Sequence, residues 1–186
     1  MGKIQKESLI WVNEHDEEIG CGEKMETHIK GILHRAFSVF IYNQADDTFL
    51  IHKRAFGKYH SGGLWTNSCC SHPHMGEILS EAVIRRIWEE LGLSVHNLNF
   101  RLIELGKFKY FQKYDTCSEH EIDHVFCMII SQKNVFLNYN KSEVEEIKWI
   151  KITDLDAWLL KEPEVFTAWF SQAYEIARLF IQQITT

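Results

Sequence analysis

Leu79, Val83, Ile87 and Leu91 recur at every fourth position, with Ser80, Glu81, Arg85, Arg86, Glu89 and Glu90 among the residues between them. That period places the four apolar side chains on one face of a helix over 79–91, and Gly92 supplies its stop. The end of the chain repeats the spacing in Phe166, Trp169, Phe170, Ala173, Ile176, Ala177 and Phe180, which predicts a long amphipathic closing helix. Runs rich in β-branched and aromatic residues predict strands near 8–12, 37–42, 48–52, 100–111, 122–130 and 147–152, most of them buried. Strands before and after helices make a mixed α/β domain.

Composition narrows this picture. A chain of 186 residues, 45% apolar, buries one good core, and no repeat, low-complexity tract or linker marks a boundary, so one domain over 1–186 is expected. A net charge of −6 argues against a sequence-independent nucleic-acid binder, which needs a basic stripe to displace counterions. Any anionic ligand must then be met by local Lys and Arg or by a metal. The five cysteines (Cys21, Cys69, Cys70, Cys117, Cys127) are odd in number and lack zinc-ribbon spacing, which points away from a disulfide framework and toward a reducing cytoplasm. The first fifteen residues hold no long apolar segment, and the longest apolar run, 125–130, is far too short to span a bilayer; neither export nor a membrane partner is expected.

Candidate chemistry concentrates in two segments. Glu77, Arg85, Ile87, Glu89, Glu90, Gly92 and Leu93 fall in register with the Nudix box, G-x5-E-x7-R-E-U-x-E-E-x-G-U with U apolar; Ser71 stands at its Gly and Arg86 at its first helical Glu. The box gathers carboxylates so that Mg²⁺, which prefers oxygen ligands, is held against a diphosphate. Arg86 and Glu90, at i and i+4, share a helix face on which the guanidinium can fork onto a phosphate beside a metal-holding carboxylate. The plainer reading is a solvated ion pair. Upstream, TNSCCSHP at 66–73 carries Cys70-x-His72. His28 and His34 precede a strand, and Glu119-x-Glu121 opens another, where a period of two points both carboxylates to one face. Three imidazoles and two carboxylates suit an intermediate divalent ion. His15, His52, His60, His74, His96, His120 and His124 have no assigned role.

On these residues the sequence resembles type 1 isopentenyl diphosphate isomerase, over about 10–169. The family form of the strongest element is TNSxCxHP, which puts the catalytic thiol on Cys70 and leaves Cys69 at the variable position. The resemblance implies an α/β (α+β) fold, a Nudix-like mixed β-sheet sandwiched by helices, with an N-terminal extension contributing metal ligands and a C-terminal helix. It implies metal binding by His28, His34, His72, Glu119 and Glu121, with Glu121 also catalytic, and diphosphate binding by Lys24, Arg54, Lys58 and Arg86, so Arg86 is the expected residue. Glu90 matches the helix carboxylate for Mg²⁺, Tyr110 the tyrosine that hydrogen-bonds the catalytic glutamate, and Trp169 the tryptophan facing the reacting carbon. Gly62-Gly63 stands where many relatives have Pro-Gly. The implied cofactors are Mg²⁺ with the substrate diphosphate and a second divalent metal, Mn²⁺, Mg²⁺ or Zn²⁺, in the His/Glu site.

The implied reaction moves the double bond of isopentenyl diphosphate through a tertiary carbocation, in a monomer acting on a small molecule. Cys70 and Glu121 are expected on opposite faces of the substrate, with Glu121 and Tyr110 as forward donor and Cys70 as acceptor. Trp65, Phe37 and Trp169 are expected to wall the pocket against water. Two rivals remain: a Nudix hydrolase, which wants more helix carboxylates and no thiol, and a non-catalytic binding module.

Overall fold

The computed structural model describes residues 8–96, 98–132 and 135–185; residues 1–7, the start of the expected N-terminal extension, lie outside them. Nine strands form one mixed sheet: β1 (Leu9–Val12), β2 (Glu18–Gly22), β3 (His34–Asn43), β4 (Thr48–Arg54), β5 (Trp65–Thr66), β6 (Cys69–Ser71), β7 (Phe100–Lys113), β8 (Ser118–Ile130) and β9 (Val144–Lys151). The helices are α1 (Lys24–Lys30), α2 (Leu79–Leu91), α3 (Ile152–Lys161) and α4 (Phe170–Thr185).

Strand β3 organises the sheet. One edge pairs in parallel with β8 along its full length, His34 opposite Glu121 through Asn43 opposite Ile130. A strand has only two edges, so the other is shared in succession by β1 at His34, β6 at Phe37 to Val39 and β4 at Ile41 to Asn43. Strand β7 lies antiparallel outside β8, and β9 outside β4. The near-continuous burial of β3 and β8 follows from coverage on both faces. On one face Val83, Ile87 and Leu91 of α2 pack on Val39, Ile41 and Leu50; on the other Phe170, Tyr174 and Ala177 of α4, with Leu155 of α3, pack on Phe40, Phe49 and Ile51. The expected sandwich of a mixed sheet between helices is present.

Helix α2 covers the predicted 79–91, and Gly92 ends it with φ 63°, where an added Cβ would stand 2.3 Å from the Asn138 carbonyl oxygen. The closing helix starts later than its apolar spacing predicts. Phe166 forms a parallel bridge with Trp65, and Thr167 N donates to the Trp65 carbonyl at 2.9 Å, so the backbone at 166 and 167 is tied to the sheet before α4 begins at Phe170. The stretch predicted as a strand over 147–152 begins earlier, at Val144, and Ile152 already belongs to α3. The edge strand β7 is half exposed, not buried.

Candidate active site

Register brings the histidines and glutamates together. His34 opens β3 directly opposite Glu121 on β8, and Glu119, two residues back, faces the same way. The sequence turns from β6 to deliver His72, and helix α1 places His28 one turn after Lys24. Five ligand atoms, one each from His28, His34, His72, Glu119 and Glu121, lie within 4.8 Å of one another, and all five residues are buried. Nε2 of His72 is 2.8 Å and Nε2 of His34 3.3 Å from Glu121 Oε1, and the two imidazole nitrogens are 3.2 Å apart. An octahedral ion with bonds of ~2.1 Å sets neighbouring ligand atoms roughly 3 Å apart and opposite ones roughly 4.2 Å apart, so the cluster fits a divalent metal. Tautomers agree: Nδ1 of His28 donates to the Lys24 carbonyl at 2.6 Å and Nδ1 of His34 to the Ile32 carbonyl at 2.8 Å, leaving both Nε2 lone pairs for the centre. Burial is the main cause that pushes His72 well below its usual range.

The motif before Cys70 is a staple of buried polar groups. Ser68 Oγ donates to the Leu50 carbonyl at 2.6 Å and accepts from Ile41 N at 2.7 Å. The Asn67 amide donates to the carbonyls of Cys69 and Val39 and accepts from Trp169 Nε1 at 3.1 Å and from Thr66 Oγ1 at 2.8 Å. These bonds tie β3, β4 and the segment before α4 to one short strand, and alternation along it sends Cys69 into the core beneath α2 and Cys70 into the cleft. Burial pushes the Cys70 thiol up to about 12; the Arg54 guanidinium, with a nitrogen 3.7 Å from the sulfur, acts the other way.

Tyr110 and Glu121 are cross-strand partners, and the phenol donates to Glu121 Oε2 at 2.6 Å. Burial raises the Glu121 carboxyl, but the hydrogen bonds it accepts, that from Tyr110 among them, hold it well below the usual carboxylate range. Burial and the surrounding carboxylates push Tyr110 far up, so it remains a donor. Cys70, Glu121, Tyr110, Trp169 and Phe37 line one cleft. Trp65 does not. It points into the opposite core, its ring 5.4 Å from that of Trp158, because β5 turns its side chain under α3.

The same cleft carries Lys24, Arg54, Lys58 and Arg86. Arg54 Nε and Arg86 Nε are buried and meet no hydrogen-bond partner among the described residues, and burial together with repulsion from Lys58 and Arg86 lowers Lys24. Crowded, under-satisfied cations of this kind fit an anion of high charge density. Arg86 and Glu90 form an i,i+4 ion pair with Glu90 buried, while the neighbouring Arg85–Glu89 pair is more exposed. Arg85 instead grips Glu77 through two nitrogens at 2.7 and 2.8 Å, locking the loop of the box onto α2.

Residues 32–170 match the NUDIX domain family. The chain is 40% identical to the isopentenyl-diphosphate Delta-isomerase of Photobacterium profundum over 176 residues, 92% of this chain and 94% of that one. It is 38% identical to that of Aliivibrio fischeri over 181 residues, 96% and 98% of the two chains. The chain belongs to the isopentenyl-diphosphate Delta-isomerase family. A solved structure from Deinococcus radiodurans matches with a TM-score of 0.69 at 21% identity, covering 92% of this chain and 98% of that one, and a MutT protein from Methanosarcina mazei with 0.58 at 19%, covering 78% and 94%; both share the fold.

In this isomerase-family chain the expected site residues lie in the cleft or in the His/Glu cluster at its end, Trp65 of the expected wall excepted. Sequence reasoning missed three others. Glu143 pairs with Lys58 at 2.6 Å beside Arg86. Asp123 accepts from Ser38 Oγ at 2.7 Å, and its buried Oδ1 meets no partner among the described residues. His60 contacts Glu119. For Asp123 a signal existed, the period of two that already linked Glu119 and Glu121; for Glu143 and His60, both on connecting loops, there was none. His120 and His124 stay outside the cluster, the first against the Gly31 carbonyl and the second between Asp16 and Glu104.

Proposed function

We infer that this chain converts isopentenyl diphosphate to dimethylallyl diphosphate, a step of isoprenoid biosynthesis. The observation that carries the reading is the pairing, in one cleft, of a thiol and a tyrosine-bonded carboxylate beside an indole, with four cations around a buried glutamate. Diphosphate recognition falls to Lys24, Arg54, Lys58 and Arg86. With the substrate so held, one proton goes to the terminal methylene, giving a tertiary cation, and one leaves the carbon next to the oxygen-bearing carbon. Glu121 with Tyr110 on one side and Cys70 on the other form the donor–acceptor pair, and each reverses its role in the back reaction. The Trp169 face stabilises the cation by about 2 kcal/mol, on the order of thirty-fold in rate. Phe37 and Trp169 keep water out. Bound divalent ions, Mn²⁺, Mg²⁺ or Zn²⁺ on His28, His34, His72, Glu119 and Glu121 and Mg²⁺ on Glu90, would fix and acidify Glu121 and neutralise the diphosphate. The proposed setting is a cytoplasmic monomer, one domain over 1–186; among the described residues no helix is long and apolar enough to cross a membrane.

Proton NMR of isopentenyl diphosphate with the protein and Mg²⁺ in D₂O, with phosphorus NMR on the same sample, tests this. Dimethylallyl diphosphate carrying deuterium, with its diphosphate intact, is the expected product. Unchanged substrate with metal bound and Cys70 reduced refutes the reading and directs the search to hydrolysis of nucleoside diphosphate derivatives.

A further inference from the structure

We propose that His60 is a positioning residue that holds Glu119 in its ligating orientation, and that through it the loop 55–64 ties metal binding to diphosphate binding. The inference rests on the reading of the His/Glu cluster as a metal centre.

His60 is buried, and its Nε2 contacts Glu119 Oε1; the carboxylate accepts and the ring donates. The imidazole has little freedom to do otherwise. It stacks on Tyr114 with centroids 4.7 Å apart and meets Tyr59 edge-on at 4.5 Å, and its Nδ1 lies 3.1 Å from Ser61 Oγ, which in turn donates to the Tyr114 hydroxyl at 3.1 Å. A ring gripped on its faces and at its far nitrogen leaves one polar vector, and that vector ends on a ligand of the cluster. Outer partners of this kind orient metal-binding groups, and their loss typically costs about 10–100-fold in metal affinity.

The loop reaches both ends of the cleft. It begins at Arg54, which it clasps through Arg54 N to the Leu64 carbonyl at 2.9 Å and Gly63 N to the Arg54 carbonyl at 3.0 Å, and it carries Lys58. Gly62 permits the clasp, since a Cβ there would stand 2.7 Å from the Phe56 carbonyl oxygen. Tyr59, next in line, places its hydroxyl 3.4 Å from Nε2 of His28. An anion that fixes Arg54 and Lys58 therefore also fixes Tyr59 and His60 against two ligands of the metal, and linkage makes the coupling mutual.

The test is titration of metal-depleted protein with Co²⁺, followed by its visible absorption, in excess Mg²⁺ with and without inorganic diphosphate. Wild type is expected to bind Co²⁺ at the cluster and to bind it more tightly with diphosphate present. His60→Ala is expected to bind about 10–100-fold more weakly and to lose the response to diphosphate. His60→Leu keeps the volume without the donor, and His60→Gln keeps a donor at the position of Nε2; with native circular dichroism, Leu is expected to behave as Ala, and Gln close to wild type. Equal weakening in Leu and Gln, or a wild-type response in Ala, overturns the proposal. Absence of Co²⁺ binding in wild type overturns the metal reading beneath it.

Discussion

Replacing Asn67 with alanine removes the amide on which the catalytic strand hangs. Four hydrogen bonds disappear, and they are not equivalent. The Val39 carbonyl still accepts from Ser68 N at 2.9 Å, and Thr66 Oγ1 still has Thr167 Oγ1 at 3.0 Å. Trp169 Nε1 has no other acceptor among the described residues and is stranded in a buried site. One stranded donor costs about 1–3 kcal/mol, and the three remaining bonds contribute about 0.5–1.5 kcal/mol each, which brings the loss to about 2.5–7.5 kcal/mol. For a chain of this size that lowers the melting temperature by on the order of 10 °C. Because the same amide orients both Trp169 and the strand of Cys70, kcat is expected to fall while KM for isopentenyl diphosphate, set by cations on other elements, changes little. Urea unfolding monitored by circular dichroism, with initial rates below the melting range, measures both. An Asn67→Ala protein within 1 kcal/mol of wild type and with unchanged kcat would refute the staple.

Three further outcomes are expected. Tyr110→Phe removes a hydrogen bond to the charged Glu121, and about 1.5–3 kcal/mol corresponds to roughly 10–100-fold in kcat; a change of less than threefold in steady-state rate counts against Tyr110 in the proton transfer. Gly92→Ala must place a Cβ 2.3 Å from the Asn138 oxygen at φ 63°, so a loss of about 2 kcal/mol or more is expected in thermal unfolding, and an unchanged melting point would show that the loop after α2 yields freely. His52 is buried, and burial with the charge of Arg54 lowers it to about 4. Unfolded histidine titrates near ~6.5, so the unfolded chain binds the extra proton between the two values: stability is full above about pH 6.5 and falls by about 1.4 kcal/mol per pH unit as pH drops toward about 4. His52→Gln should flatten that slope in urea midpoints measured across the window, and an unaltered slope would assign it to other groups.

Much of the frame was readable from residue order. The four-residue spacing of Leu79 to Leu91 with Gly92 gives α2 because helix periodicity and an αL stop are local properties, and the period of two carried Glu119 and Glu121 to one face of β8. The thiol, the three histidines and two glutamates, and the four cations were legible through motif spacing and family resemblance, and the structure brings them into one cleft and its adjoining cluster. Other features belong to the tertiary structure. Phe166 and Phe170 share helical spacing, and their rings stack 4.6 Å apart, yet Phe166 is held in the sheet by Trp65, a partner a hundred residues earlier that local periodicity does not register. Trp65 sat beside the catalytic motif in sequence but faces the far side of the sheet, since neighbouring residues on a strand point opposite ways. His60 and Glu143 reach the site only because loops of no regular pattern fold over β4 and beside α2. Local periodicity sets which face a side chain takes within its own element; which elements meet, and so which loop residues arrive at the His/Glu cluster and the cationic cleft, is decided when the sheet assembles.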